Sequence, residues 1–183
     1  MLVLDGTSGV DVGNVAISGE FTIEGWFYFE PGAVIDNKDG FFKNDTNQIH
    51  LNFWEGQLRL AAYTGPIRGD VVIANTAANT GEWNHYALTR DANGILQIYV
   101  NGVLDATATQ AWNVDFNVDE IGETLRGATE GAMDELRIWD HARSGSEIAS
   151  AMSSTVDPGS AGLLANYRFD NAAEIDDATG NAA

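Results

Sequence analysis

Asp134, in the run MDELRIW that begins at Met133, is the most informative charge in the chain. If that run is a strand, Asp134 shares a face with Leu136 and Ile138, and that face points inward at one edge of the fold. A carboxylate there is costly unless it pairs with an arginine, accepts loop amides or meets a cation. A second acidic group is Asp36 and Asp39 before Gly40, followed by Asn44 and Asp45. Its order does not match the EF-hand loop, which needs alternating oxygen ligands and a distal glutamate, so solvated turns are the plainer account. Asp36, Asp39 and Asn44 stay as ligand-contact candidates.

Aromatic side chains come next, because indoles stack on the CH faces of sugar rings. Trp26, Trp83 and Trp139 fall in the segments that carry the family resemblance given below, and that resemblance implies packing roles for them. Trp54 stands beside the turn Glu55-Gly56, and Trp112 sits in the irregular run Ala111-Trp112-Asn113. Those two are the candidate binding platforms, with simple packing as the alternative. Tyr63, Asn44, Asn52 and His50 could add hydrogen bonds, although nothing in the sequence gathers them. His50, His85 and His141 include no close pair, and there is no HExxH, so a zinc site is not expected. There is no GxSxG and no phosphate loop. Glycoside hydrolysis needs two carboxylates across the scissile bond. Asp119-Glu120-x-x-Glu123 comes closest, and in a strand that spacing aims the carboxylates at different faces. The chain is therefore expected not to be an enzyme.

Short strands must position these residues. Residues 82–104, EWNHYALTRDANGILQIYVNGVL, read as a β-meander: a strand over 84–90, the turn Asp91-Ala92-Asn93-Gly94, a strand over 95–100, then Asn101-Gly102 and a third strand. Leu96, Ile98 and Val100 share one face, with Gln97 and Asn101 on the other. Residues 21–29 alternate cleanly, with Phe21, Ile23, Phe27 and Phe29 on one side and Thr22, Glu24, Trp26 and Tyr28 on the other. Further strands are expected at 2–4, 40–43, 48–54, 57–63, 71–74, 118–122, 133–139 and 163–169. Turns are expected at 44–47 and 64–66. Ser144 to Glu147 has capping-box spacing, so one short helix should follow over 148–152. Many short strands and one helix predict an all-β, two-sheet antiparallel sandwich with a jelly-roll plan.

Composition bounds the rest. The 183 residues suit one domain, and 44% hydrophobic content can bury a core. Nine basic residues against 27 acidic give a net charge of −18. Such a surface repels nucleic acid and anionic membranes, and it suits cation binding or solubility in salty water. No cysteine means no disulfide and no thiol nucleophile, which leaves secretion open. No signal peptide is expected within these residues, and no run is long enough to span a bilayer as a helix.

Five segments in order carry a family resemblance: Leu4-Asp5-Gly6; FTIEGWFYF from Phe21; Trp83-x-His85 with Arg90-Asp91-x-x-Gly94 and Tyr99-Val100-Asn101-Gly102; MDELRIWDHARS from Met133; and LLANYRFD from Leu163. Together they resemble the LamG-like, concanavalin A-like jelly-roll family of laminin G and pentraxin-like domains, over nearly the whole chain. The resemblance implies a structural calcium near the first and last strands, held by Asp134 and carbonyls, with Asp5 and Gly6 as further contributors. Carboxylate and turn carbonyls are the oxygen types calcium takes. It also implies a carbohydrate or glycosylated surface as partner, and an adhesion or targeting role within a larger secreted, extracellular protein. The alternatives are a protein-interaction domain without sugar affinity and, less favoured, a polysaccharide-degrading enzyme. The tail 167–181 resembles the leader that opens such domains. It either closes this domain in permuted fashion, the favoured reading, or begins a tandem copy.

Overall fold

The computed structural model describes residues 1–44, 48–63, 68–170 and 177–180. Most of the turn expected at 44–47, the loop at 64–66 and residues 171–176 and 181 of the tail lie outside the described residues. Fifteen strands and one helix are described: β1 Leu2–Asp5, β2 Val10–Ile17, β3 Phe21–Tyr28, β4 Gly40–Asn44, β5 Ile49–Trp54, β6 Gln57–Ala62, β7 Gly69–Ala77, β8 Trp83–Arg90, β9 Leu96–Val100, β10 Val103–Thr107, β11 Phe116–Ile121, β12 Glu123–Thr124, β13 Gly127–Ala128, β14 Glu130–Trp139, α1 Gly145–Ala151 and β15 Leu163–Tyr167. The first sheet runs β1-β14-β3-β8-β9-β10, with β15 also on β14; the second runs β2-β11-β4-β5-β6-β7. The pairings within them are antiparallel. This is the jelly-roll sandwich that the strand pattern predicts. The hairpin β12–β13 falls where the sequence shows only a glycine-bounded loop.

The core lies between the sheets. Phe21, Ile23, Phe27 and Phe29 of the first sheet meet Phe41, Phe42, Leu51, Phe53 and Leu60 of the second. Phe27 stands 4.6 Å from Phe41 and 5.6 Å from Phe53, ring to ring, in edge-on arrangements. The meander forms as read, with Asn101 and Gly102 both at positive φ. Gly94 ends its first turn at φ +79°, and a Cβ there would lie 2.2 Å from Asn113 Oδ1, so only glycine fits.

Over the outward face of the first sheet lies α1. Its capping box is made in both directions between Ser144 and Glu147. Ile148 packs on Ala87 and Tyr99. Arg137 donates to the Ala151 and Ser154 carbonyls at 3.0 and 2.7 Å, and Trp26 Nε1 donates to the Met152 carbonyl at 2.8 Å. Beneath the helix, Glu24 accepts from Trp139 Nε1 at 3.0 Å and pairs with Arg143. Burial pushes the Glu24 carboxyl above its usual range, against the pull of Arg143 and Arg137.

The two sheets also meet along one open side. Asp105 of β10 accepts the Asn75 amide at 2.5 Å, the Thr76 amide at 3.2 Å and the Thr76 hydroxyl at 2.5 Å, all from β7.

Asp134 does not enter the core. Its partner across β14–β3 is Trp26, on the outward face, while Arg137 faces Glu24. Two residues of β14, Glu135 and Leu136, thus lie opposite one of β3, Gly25. Glu135 takes φ +50° at this bulge. The extra residue reverses the alternation, so Leu136 and Ile138 point inward while Asp134 points out and is one-third exposed.

Candidate functional site

The second sheet's outward face carries a polar row built by strand alternation. On β5, Ile49, Leu51 and Phe53 enter the core, so His50, Asn52 and Trp54 point out. Across the Glu55-Gly56 turn, Gln57 opposes Trp54, Arg59 opposes Asn52 and Ala61 opposes His50. Lys43 of β4 opposes His50 from the other side, and Asp70 of β7 opposes Ala61.

Trp54 is the exposed aromatic of this face, at 40% accessibility. Arg59 lies diagonally across the hairpin with its guanidinium carbon 4.7 Å from the indole centroid. The Arg59 Nη1 is 2.5 Å from Asp70 Oδ1, and its Nε donates to Asn52 Oδ1 at 3.2 Å. Asn52 in turn donates to the carbonyls of Asn37 and Phe53 at 3.0 and 3.1 Å. The Asn37 carbonyl also accepts from Thr124 Oγ1 at 2.8 Å, which pins the β12–β13 hairpin over β4 and β5.

His50 is fully buried on this face, and neither ring nitrogen has a partner. The Tyr63 ring, half-buried, lies 5.7 Å from it. Burial pulls the imidazole down to about 4, with Arg59 and Arg126 adding to the effect, so His50 is neutral near pH 7. Sequence reading named Trp54, Tyr63, Asn52 and His50, and the register brings them together. It missed Arg59, Asp70 and Arg126. The hairpin turn was the available signal, because a two-residue turn at Glu55-Gly56 places Arg59 diagonal to Trp54.

Trp112 belongs to the core. It is fully buried, 6.0 Å from the Phe116 ring, with Arg90 over it at 5.7 Å. Its amide donates to the Gly94 carbonyl at 2.8 Å, so the meander's turn draws the irregular segment inward. A buried indole offers no stacking face, and the platform expected at Trp112 is corrected to a packing role. Asn44 is also buried; its amide nitrogen donates to the Asn117 carbonyl at 3.0 Å and to Asp119 Oδ2 at 3.3 Å, tying β4 to β11.

Asp36 and Asp39 form one closed turn. Asp39 accepts the Asp36 and Glu130 amides at 3.0 and 3.3 Å, and Asp36 accepts the Lys38 amide at 3.0 Å. Burial holds the Asp39 carboxyl above its usual range. Asp39 borders a cavity of about 370 Å³ together with Glu30, Lys38 and Glu130.

Glu120 and Glu123 do not diverge as their spacing suggested. A register shift in β11 and the turn at Gly122 bring both to Lys43 Nζ, at 3.1 and 3.0 Å.

Asp134 Oδ1 lies 3.3 Å from the Met1 ammonium, which also donates to the Phe169 carbonyl at 2.6 Å. A carboxylate and a backbone carbonyl thus already hold a cationic group between the first and last strands. That donor chemistry fits calcium in type, though two oxygens are short of the six to eight it takes. Asp5 pairs with Glu130, four positions along β14 from Asp134, which is about 13 Å at strand rise. Asp5 and Gly6 therefore cannot share an ion with Asp134. Asp5 instead accepts from the Thr7 amide and hydroxyl, which hold its carboxyl below its usual range. Among the described residues, no three His, Asp or Glu side chains cluster closely enough to hold a metal.

The sequence profile of the concanavalin A-like lectin/glucanase superfamily (Laminin_G_3) matches residues 4–149, and the chain belongs to that family. Among solved structures, domain 4 of AbnA is similar at 26% identity and TM-score 0.66, covering 82% of this chain and 75% of that one. AbnA is a GH43 extracellular arabinanase from Geobacillus stearothermophilus, and the structure holds arabinotriose. A candidate carbohydrate-binding protein from Bacteroides ovatus ATCC 8483 shares 24% identity with TM-score 0.70; the match covers 98% of this chain but 57% of that one. A heptameric SAP-like pentraxin from Limulus polyphemus shares 16% identity with TM-score 0.55, over 82% and 80% of the two chains. The last two likenesses concern the fold alone. No curated protein matches the chain significantly.

Proposed function

We propose that the chain is a non-catalytic carbohydrate-binding module, with the outward face of the second sheet as its binding surface. The observation that carries this reading is the exposed Trp54 indole, braced by Arg59 beside Asp70 on an otherwise polar face. An indole offers a flat apolar face for the CH side of a sugar ring, and flanking polar groups can meet its hydroxyls. The arabinotriose complex of the related arabinanase domain supports an oligosaccharide as ligand and makes arabinotriose the first probe. The related module is one domain of an extracellular arabinanase, which supports a place within a larger, secreted protein. Calorimetric titration with arabinotriose and a panel of neutral and acidic oligosaccharides tests the reading. Trp54→Ala should weaken binding at least tenfold with the fold intact. If wild-type protein binds nothing on the panel, the reading fails and the protein-interaction alternative takes its place.

A calcium ion held by Asp134 and the Phe169 carbonyl is a separate part of the proposal. When bound, it would join the first and last strands, as the ammonium now does. Calcium should then raise the melting temperature through mass action, and Asp134→Ala should abolish that response. An unchanged response in Asp134→Ala would remove the metal from this position.

A further inference from the structure

We propose that Arg59 is a positioning residue that fixes the Trp54 indole and leaves only one of its faces to the ligand. The inference rests on the carbohydrate reading and extends it to how the platform is held. Trp54 ends β5 at the hairpin tip, where a large side chain is free to sample several rotamers. Arg59 is nearly buried while Trp54 is exposed, so the guanidinium is the fixed partner. Its Nε is held by Asn52 and its Nη1 by Asp70, which anchors it to β5 and β7 at once. Asn52 is itself fastened to the Asn37 carbonyl, beneath the β12–β13 hairpin. The relay therefore runs from a loop carbonyl through Asn52 and Arg59 to the ring. At 4.7 Å from the centroid, the planar guanidinium covers one face of the indole. The sugar takes the opposite face, with the ring already in its bound orientation.

Pre-ordering one rotamer-rich side chain is worth about three- to tenfold in affinity. Two readouts test the role: the affinity for arabinotriose and the heteronuclear NOE of the Trp54 indole N–H. Arg59→Leu should lower the NOE and weaken binding about three- to tenfold. Arg59→Lys can keep the Asp70 pair but cannot lie flat on the ring, so its indole should stay loose. In a Trp54→Ala background, Arg59→Leu should add no further loss, because Arg59 acts through the ring. Should Arg59→Leu unfold the protein, Arg59→Gln, which keeps a polar group for Asn52, replaces it. An indole equally ordered without the guanidinium would overturn the proposal. So would a full additional loss in the Trp54→Ala background, since that would mean Arg59 meets the ligand itself. If no panel sugar binds wild-type protein, the carbohydrate reading falls, and the NOE comparison still decides the role of Arg59.

Discussion

Trp112 fills the space between Phe116, Arg90 and the β8–β9 turn, and truncating it would leave a void that the sheets cannot close. Trp112→Ala should cost about 3–5 kcal/mol of stability, whereas Trp54→Ala should change it by less than about 1 kcal/mol. Urea unfolding of the two variants checks both. The contrast shows what the chain discloses at this scale. Trp54 sits in phase with His50 and Asn52, so the period of two already sets it on the outward face. Trp112 lies in a stretch without period. Its burial depends on the Gly94 carbonyl and the Arg90 side chain, contacts that no local pattern displays.

The helix tells a similar story at the scale of elements. Its start was legible, because Ser144 and Glu147 satisfy each other's backbone amides through side chains three residues apart. Ser144→Ala should therefore destabilise the protein by about 1 kcal/mol, read as a lower midpoint in thermal unfolding. Its end was expected at Met152, and Met152 is the cap after Ala151, although the first helical residue is Gly145 and not Ile148. The carbonyls of Ala151, Met152 and Ser154 are met by Arg137 and Trp26, which lie on strands far away in sequence. Strand β14 shows the opposite failure, where a legible pattern misled. Its apolar alternation is genuine at both ends, but the bulge at Glu135 inserts one residue between them. A bulge leaves no sequence mark of its own when a non-glycine residue takes the positive φ, so Asp134 was assigned to the wrong face. The β5–β6 hairpin kept its register, and the candidate site on it was readable apart from its arginine.

For the whole molecule, acid is the informative perturbation. His50 and His85 are both buried and neutral, held near 4 and 3 chiefly by burial, with nearby arginines adding to it. The unfolded chain would take up their protons near 6.5, the folded chain much lower, so stability is full above 6.5 and is lost as pH falls. A loss of stability as pH falls below 6.5 has the sign of the histidines. Glu24 and Asp39 have raised values and work in the opposite direction. Urea unfolding should show lower stability at pH 5 than at pH 7.5, and His50→Gln should shrink the difference. An identical slope in His50→Gln would mean that His50 is charged in the folded state. The same −18 net charge that keeps copies of the chain apart does not by itself protect exposed strand edges at short range. Asp105 does so on one side: by occupying the Asn75 and Thr76 amides, it removes hydrogen-bond donors that a foreign strand would need. One carboxylate thus serves as a selvedge for the fabric of both sheets, and where many copies crowd together it would keep neighbours from knitting into fibres.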